Sequence, residues 1–143
     1  MVTIIHQLEE DIQNLFTNRS DSYKNTIVKE KYKTIPTGYY PKVIIEEIDN
    51  SEISNRSTTQ GERSTILGYQ ITVYSRDTEE HEAIDAVRYI LNIIHEFLQP
   101  PNYNMQRIGS IAIMPYISDN TVMMGAIRYT CVYGYETNLI YRN

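Results

Sequence analysis

A stripe of Ile84, Val87, Leu91, Ile94 and Leu98, three and four residues apart and stopped by Pro100-Pro101, restricts this chain more than any other feature. A helix with five aliphatics on one face must bury that face against another element. A partner is at hand. Leu67, Tyr69, Ile71 and Val73 alternate with Gly68, Gln70, Thr72 and Tyr74, the period of a strand with one buried face. Upstream of the helix, Asp77 with Glu80 three positions on predicts a capping box.

The other segments fill in a layered domain. Ile5, Leu8, Ile12, Leu15 and Phe16 share one stripe, opposite Glu9, Glu10, Gln13 and Asn14, and predict an N-terminal helix whose Glu9-Glu10-Asp11 is solvated. Residues 17–22 read as a loop. A β-branched run at 42–48 follows Pro41, another strand at 108–114 is ended by Pro115, and a long one covers 122–135. Ser118-Asp119-Asn120 supplies a turn, so the last two form a hairpin. A weaker strand covers 26–33. Residues 49–64 are polar, with Ile53 their only aliphatic, and are expected to face solvent as a mobile loop until a partner orders them. Neighbouring strands imply hairpins. The expected fold is α+β: one domain over 1–143, a mostly antiparallel sheet of four to five strands, an N-terminal helix, and one long helix packed on the sheet.

At 143 residues with 13 Lys+Arg against 18 Asp+Glu, the chain carries a net charge of −5. It can bury roughly two-thirds of its unfolded surface and needs no metal or disulfide staple. Its one cysteine, Cys131, excludes an intrachain disulfide and a zinc site of several Cys ligands. No apolar run approaches the roughly 20 residues of a membrane span. The opening MVTIIHQLEEDIQ lacks a basic region, so no secretory signal is expected and a soluble, reduced domain is. Tyrosine is abundant, 13 against 2 Phe and no Trp. That fits strands and it fits covered surfaces. The cluster Tyr129, Tyr133, Tyr135 and Tyr141 favours an interface.

A catalytic constellation is not apparent. His81 and His95 lie about 21 Å apart along one helix and cannot share a metal. His81 sits in Glu79-Glu80-His81-Glu82, an acidic start that complements the helix dipole. Cys131 is mid-strand, where thiols are buried and inert. No Gly-rich phosphate loop, nucleophile elbow or HExxH occurs. Glu46-Glu47 point to opposite faces of a strand. All five lysines (Lys24, Lys29, Lys31, Lys33, Lys42) fall in one window, which could track phosphates or protect a sheet edge.

Several segments in order carry a whole-chain likeness. These are the short helix at 2–16, then Tyr40-Pro41-Lys42-Val43-Ile44-Ile45-Glu46-Glu47, then Leu67-Gly68-Tyr69-Gln70-Ile71-Thr72-Val73-Tyr74-Ser75. The long helix, Tyr103-Asn104-Met105-Gln106-Arg107, a closing hairpin with Arg128-Tyr129, and Ile140-Tyr141-Arg142 follow. In this pattern the chain resembles the tail terminator (tail completion) proteins of long-tailed bacteriophages of Gram-positive hosts. The resemblance implies a virion structural protein, not an enzyme, without cofactor. It would form a homo-oligomeric ring, a hexamer, that caps the tail tube, ends its polymerisation and presents the surface for head docking. Its implied partners are itself, the tail tube protein and a head completion or neck protein, with no membrane; genomic DNA would pass without tight binding. It would be assembled in the host cytoplasm and reside in the virion. Another neck or tail-tube subunit, a small enzyme, and a small nucleic-acid-binding protein are the alternatives. No single functional residue carries over from the family. Candidates for a subunit or tube interface come from this chain's own charges and tyrosines: Glu46, Glu47, Arg56, Glu62, Arg63, Arg107, Tyr135 and Tyr141. Glu46, Glu47 and Glu62 are expected toward a channel, with the lysine window kept apart from them.

Overall fold

The computed structural model describes residues 4–36, 38–53, 64–77, 79–100, 102–117, 119–134 and 139–141, with backbone alone for 49–53, 64–66, 119–120, 132–134 and 139–141. Helix α1 (Ile4–Thr17) buries Ile4, Leu8, Ile12 and Phe16, the stripe its spacing requires. A short 3-10 turn at Ser22–Asn25 is capped by Asp21, which accepts from the Tyr23 N–H. Strands β1 (Ile27–Glu30), β2 (Lys42–Ile53) and β3 (Ser64–Arg76) precede helix α2 (Glu80–Phe97). Strands β4 (Gln106–Tyr116), β5 (Asp119–Gly134) and β6 (Leu139–Tyr141) follow it. The sheet order is β1-β2-β3-β5-β4, and β6 pairs with β5 beyond the point where β4 ends. The fold is the expected α+β layer, two helices on a mostly antiparallel sheet.

Both helices pack on one face of the sheet and share one core. Val87, Ile90, Leu91, Ile94 and Leu98 of the α2 region meet Val43 and Ile45 of β2, Tyr69, Ile71 and Val73 of β3, and Ile127, Tyr129 and Cys131 of β5. Ile84 lies at the margin, and Ala83 and Ile90 complete the stripe in its place. Gly125 allows the closest approach: a Cβ there would stand 3.0 Å from Ile113 Cγ1 and 3.2 Å from Val87 Cγ1.

Several local expectations need correction. The neighbouring β1 and β2 are parallel, not a hairpin, with Ile27 opposite Lys42 and Glu30 opposite Ile45. Polar residues 49–53 and Ser64 are strand and not loop, because they continue the β2–β3 ladder from Asp49–Gly68 to Ile53–Ser64. The remainder, 54–63, lies outside the described residues. Helix α2 starts one residue after Glu79, and Asp77 accepts from the Glu79 N–H at 3.3 Å in place of closing a capping box. Pro115 does not end β4; it lies within this edge strand, where a missing N–H disrupts no inner ladder. Asp119 pairs with Tyr116 and Asn120 is already in β5, so the hairpin turns earlier than Ser118-Asp119-Asn120.

The two edges of the sheet are finished differently. Along β1, side chains of α1 replace a neighbouring strand. Glu9 Oε2 accepts from Glu30 N at 2.7 Å, Gln13 Oε1 accepts from Val28 N at 2.9 Å, and Gln13 Nε2 donates to the Thr26 carbonyl at 3.0 Å. Glu9, expected on the solvated face, is therefore buried, 7% exposed. The opposite edge, β4, is blunted by bulges and by Pro115. One bulge leaves Ile108 unpaired between Arg107–Tyr129 and Gly109–Arg128, and a matching bulge in β2 leaves Ile48 between Glu47–Tyr69 and Asp49–Gly68.

Candidate functional site

The residues with nucleophilic, basic or metal-binding chemistry are scattered. His6 Nε2 lies 3.1 Å from Glu10 Oε1 on the surface of α1. His81 is exposed beside Glu79. His95 Nδ1 is 2.8 Å from Tyr129 Oη, with the two rings stacked. Burial pushes the Tyr129 phenol up to about 12, more than the nearby Arg107 lowers it, so its proton stays. Burial likewise pushes the Cys131 thiol up to about 12, which keeps it from forming thiolate near neutrality. Tyr103 donates to Asp11 Oδ2 across the α1 side of the core, and burial with that carboxylate raises its phenol. Among the described residues no three His, Cys, Asp or Glu side chains gather as metal ligands. The pairs His95–Tyr129 and Tyr103–Asp11 were not anticipated. The spacing held a signal for the first, since His95 is four residues after Leu91 and so shares the buried side of α2.

The candidate interface residues are likewise not brought to one place. Glu46 lies on the face away from the helices and accepts from Lys31 Nζ at 2.9 Å. Glu47 is exposed on the other face, and partial desolvation raises its carboxyl. Arg107 is exposed on β4, with β5 and β3 between it and β2, so about 14 Å separates it from Glu47 along their shared row. Tyr141 pairs through its backbone with Val132, while Arg56, Glu62, Arg63 and Tyr135 lie outside the described residues. Tyr129, placed in an interface cluster from the sequence, belongs to the core instead.

The lysine window is not kept apart from the acids. Besides the Lys31–Glu46 pair, Lys33 Nζ stands 2.9 Å from Glu9 and 3.1 Å from Glu30. The parallel β1 carries Lys31 next to β2, and α1 carries Glu9 onto the same edge. A groove of ≈ 450 Å³ between α1 and β1 is lined by Glu9, Glu10, Gln13, Asn14, Val28 and Lys29. Its Glu9 and Gln13 already hold the edge of β1.

The sheet face opposite the helices is the candidate interaction surface. The pairing registers lay it out in rows: Lys42, Tyr74, Met124, Met114; then Ile44, Thr72, Ala126, Ile111; then Glu46, Gln70, Arg128, Gly109. Arg128 Nε donates to Gln70 Oε1 at 2.9 Å within the last row. At the other end, Tyr74 and Tyr116 meet edge to face at 5.3 Å, and Lys42 Nζ sits 5.0 Å from the Tyr40 ring and 5.5 Å from Tyr74. Arg76 stacks over Tyr40 at 4.8 Å. Neither helix packs on this face, although Thr72, Ala126 and Val122 within it are buried among their neighbours. It joins an aliphatic middle, one cation-and-ring end and one polar end. Scans against protein-family models and against curated proteins give no match to this chain.

Proposed function

We propose that the chain is a structural subunit of a long-tailed bacteriophage, a tail terminator that assembles as a ring, caps the tail tube and forms the head-docking surface. The observation that supports this reading is the open sheet face. Two helices cover one side of the sheet, while the other presents Ile44, Tyr74, Ile111, Met114, Met124 and Tyr116 to a partner. Contiguous apolar and aromatic surface with a polar margin is characteristic of protein–protein association. The implied partners are further copies of the chain, the tube protein and a neck protein, with DNA passing through the ring.

A nucleic-acid-binding reading is less well supported, because Lys31 and Lys33 already hold carboxylates and are not available to release counterions from phosphate. Negative-stain microscopy of the purified protein, alone and mixed with growing tail tubes, tests the proposal. Rings in solution or on tube ends, with shortened tubes, are expected. Long tubes built from this protein alone would make it a tube subunit, and tubes unaffected by it would remove the terminator role. Sub-micromolar DNA affinity with a steep salt slope would favour the nucleic-acid binder.

A further inference from the structure

We propose that the open sheet face pairs with the same face of a second copy of this chain, about a two-fold axis running across the strands. The rows laid out above give the face two ends of opposite sign on one strand. Lys42 lies in the first row and Glu46 in the last, four residues or about 13 Å apart on β2. Between them runs the uncharged row of Ile44, Thr72, Ala126 and Ile111. Lys42 Nζ sits 5.0 Å from the Tyr40 ring and 5.5 Å from Tyr74, and meets no carboxylate among the described residues. Rings that hold a cation in place reduce the entropy lost when it meets an anion, and leave its N–H groups free to donate. Glu46 accepts from Lys31 through Oε1, and a carboxylate has room for a second cation. Each end can therefore take one more partner of opposite charge, and the two are too far apart on their own strand to take each other.

A face can pair with its own copy about either of two axes lying in its plane, along the strands or across them. An axis along the strands reverses the strand order. Lys42 would then cover Met114 and Glu46 would cover Gly109, so both charges would lose water without gaining a partner. An axis across the strands reverses the rows instead. Lys42 of each copy then stands over Glu46 of the other, which makes the contact twice, and Tyr74 stands over Gln70. The middle row falls on itself and buries its aliphatics. Packed sheets cross at roughly 30°, which carries Ile44 beside its counterpart and not onto it. The rows span roughly 14 Å across four strands and 13 Å along them, so pairing buries on the order of 800 Å² in total once side chains at the margin are included. Stable complexes bury about 1,200–2,000 Å², so this contact is a weak one that forms at micromolar or higher concentration. A two-fold contact closes at two copies. It goes beyond the tail reading, since a ring needs a different contact, and in the free protein it covers the face which that reading offers to a partner.

A charge-swap experiment on the full chain tests this. Sedimentation velocity of the wild type, from about 1 µM to 1 mM, is expected to show monomers passing to dimers, with a higher midpoint at high salt. Lys42→Glu and Glu46→Lys should each raise that midpoint at least about tenfold, because each puts like charges together twice. An equimolar mixture of the two should restore dimers, since each altered end then meets its opposite in the other variant. Ile111→Lys, on the edge strand and outside the core, should also weaken the dimer and tests the middle row without touching either charge. Melting curves confirm that the variants fold. A zero-length carbodiimide applied to mixed isotope-labelled and unlabelled wild type should join Lys42 of one chain to Glu46 of another. A wild type that stays monomeric throughout, variants that dimerise as it does, a mixture that fails to recover, or a dimer without that cross-link would each overturn the proposal. So would rings or filaments that Lys42→Glu abolishes, because the face would then make a head-to-tail contact. Binding of an oligonucleotide that Lys42→Glu abolishes would do the same, because the lysine would then read phosphate. Dimers that leave growing tail tubes unchanged would keep this contact and remove the terminator reading. Tube capping by a protein that never dimerises would do the reverse.

Discussion

Glu9 is the residue whose replacement most directly tests how the β1 edge is held. Its carboxylate reaches from α1 to accept from Glu30 N at 2.7 Å and from Lys33 Nζ at 2.9 Å. Glu9→Ala leaves an N–H on a partly buried strand edge without an acceptor, which costs about 1–3 kcal/mol. The Lys33 end is solvent-screened and adds little. Alanine returns a few tenths of a kcal/mol through better helix propensity. The net loss is about 1–3 kcal/mol, read as a fall in melting midpoint of roughly 3–10 °C for a domain of this size. Glu9→Gln keeps an acceptor oxygen and should lose clearly less. The pH dependence has a definite sign. Burial raises the Glu9 carboxyl, but the Lys33 and Glu30 hydrogen bonds outweigh it and hold the folded-state pKa below the ordinary value. Its contribution is therefore complete above the unfolded value of about 4.3 and is lost as pH falls through the lower folded value. Thermal melts from pH 7 to pH 3 should show the wild-type advantage over Glu9→Gln shrinking only below about pH 4.5. A Glu9→Ala protein that melts with the wild type would refute the idea that α1 seals this edge.

Three further outcomes are expected. Leu91→Ala should cost about 2–5 kcal/mol in denaturant unfolding, because Leu91 is a core residue of α2 packed over Gly125. Gly125→Ala should destabilise by about 1–3 kcal/mol through overpacking against Ile113 and Val87, and a neutral result would mean that α2 can lift off β5 freely. Cys131 should resist an aromatic disulfide reagent in the folded protein at pH 8 and react on unfolding, since burial holds its pKa near 12; rapid labelling of the native state would show that the core opens there.

The parts legible in sequence are those fixed by apolar period. The α2 stripe and the alternation of β3 each name a buried face, and together they require a helix layered on a sheet. What could not be read was fixed by polar contacts between distant segments. The parallel pairing of β1 depends on Glu9 and Gln13, which meet it only after α1 has folded onto the sheet. The strand character of 49–53 is set by pairing to β3, not by side chains that prefer strands. The tyrosines divide for the same reason. Tyr69 and Tyr129 oppose each other in the core while Tyr74 and Tyr116 meet on the open face, and composition alone cannot assign them. Glu46, Glu47 and Arg107 stand out in the sequence by charge, whereas strand order decides where they lie.

The two isoleucine bulges have a mechanical consequence. Glu47, Tyr69, Tyr129 and Arg107 form one transverse row, and the extra residues Ile48 and Ile108 sit immediately beside it on β2 and β4. Bulges bend a strand and increase its twist, so two at the same level act as a crease across the sheet. Beyond the crease the β2–β3 ladder runs on for the pairs from Asp49–Gly68 to Ile53–Ser64, about 17 Å of paired backbone. The crease therefore sets, together with the core contacts of Leu67 and Cys131 just past it, the heading of this extension. Deleting Ile48 would re-aim that extension while leaving the helical layer in place, and small-angle scattering together with far-UV circular dichroism would separate a changed outline from a changed fold.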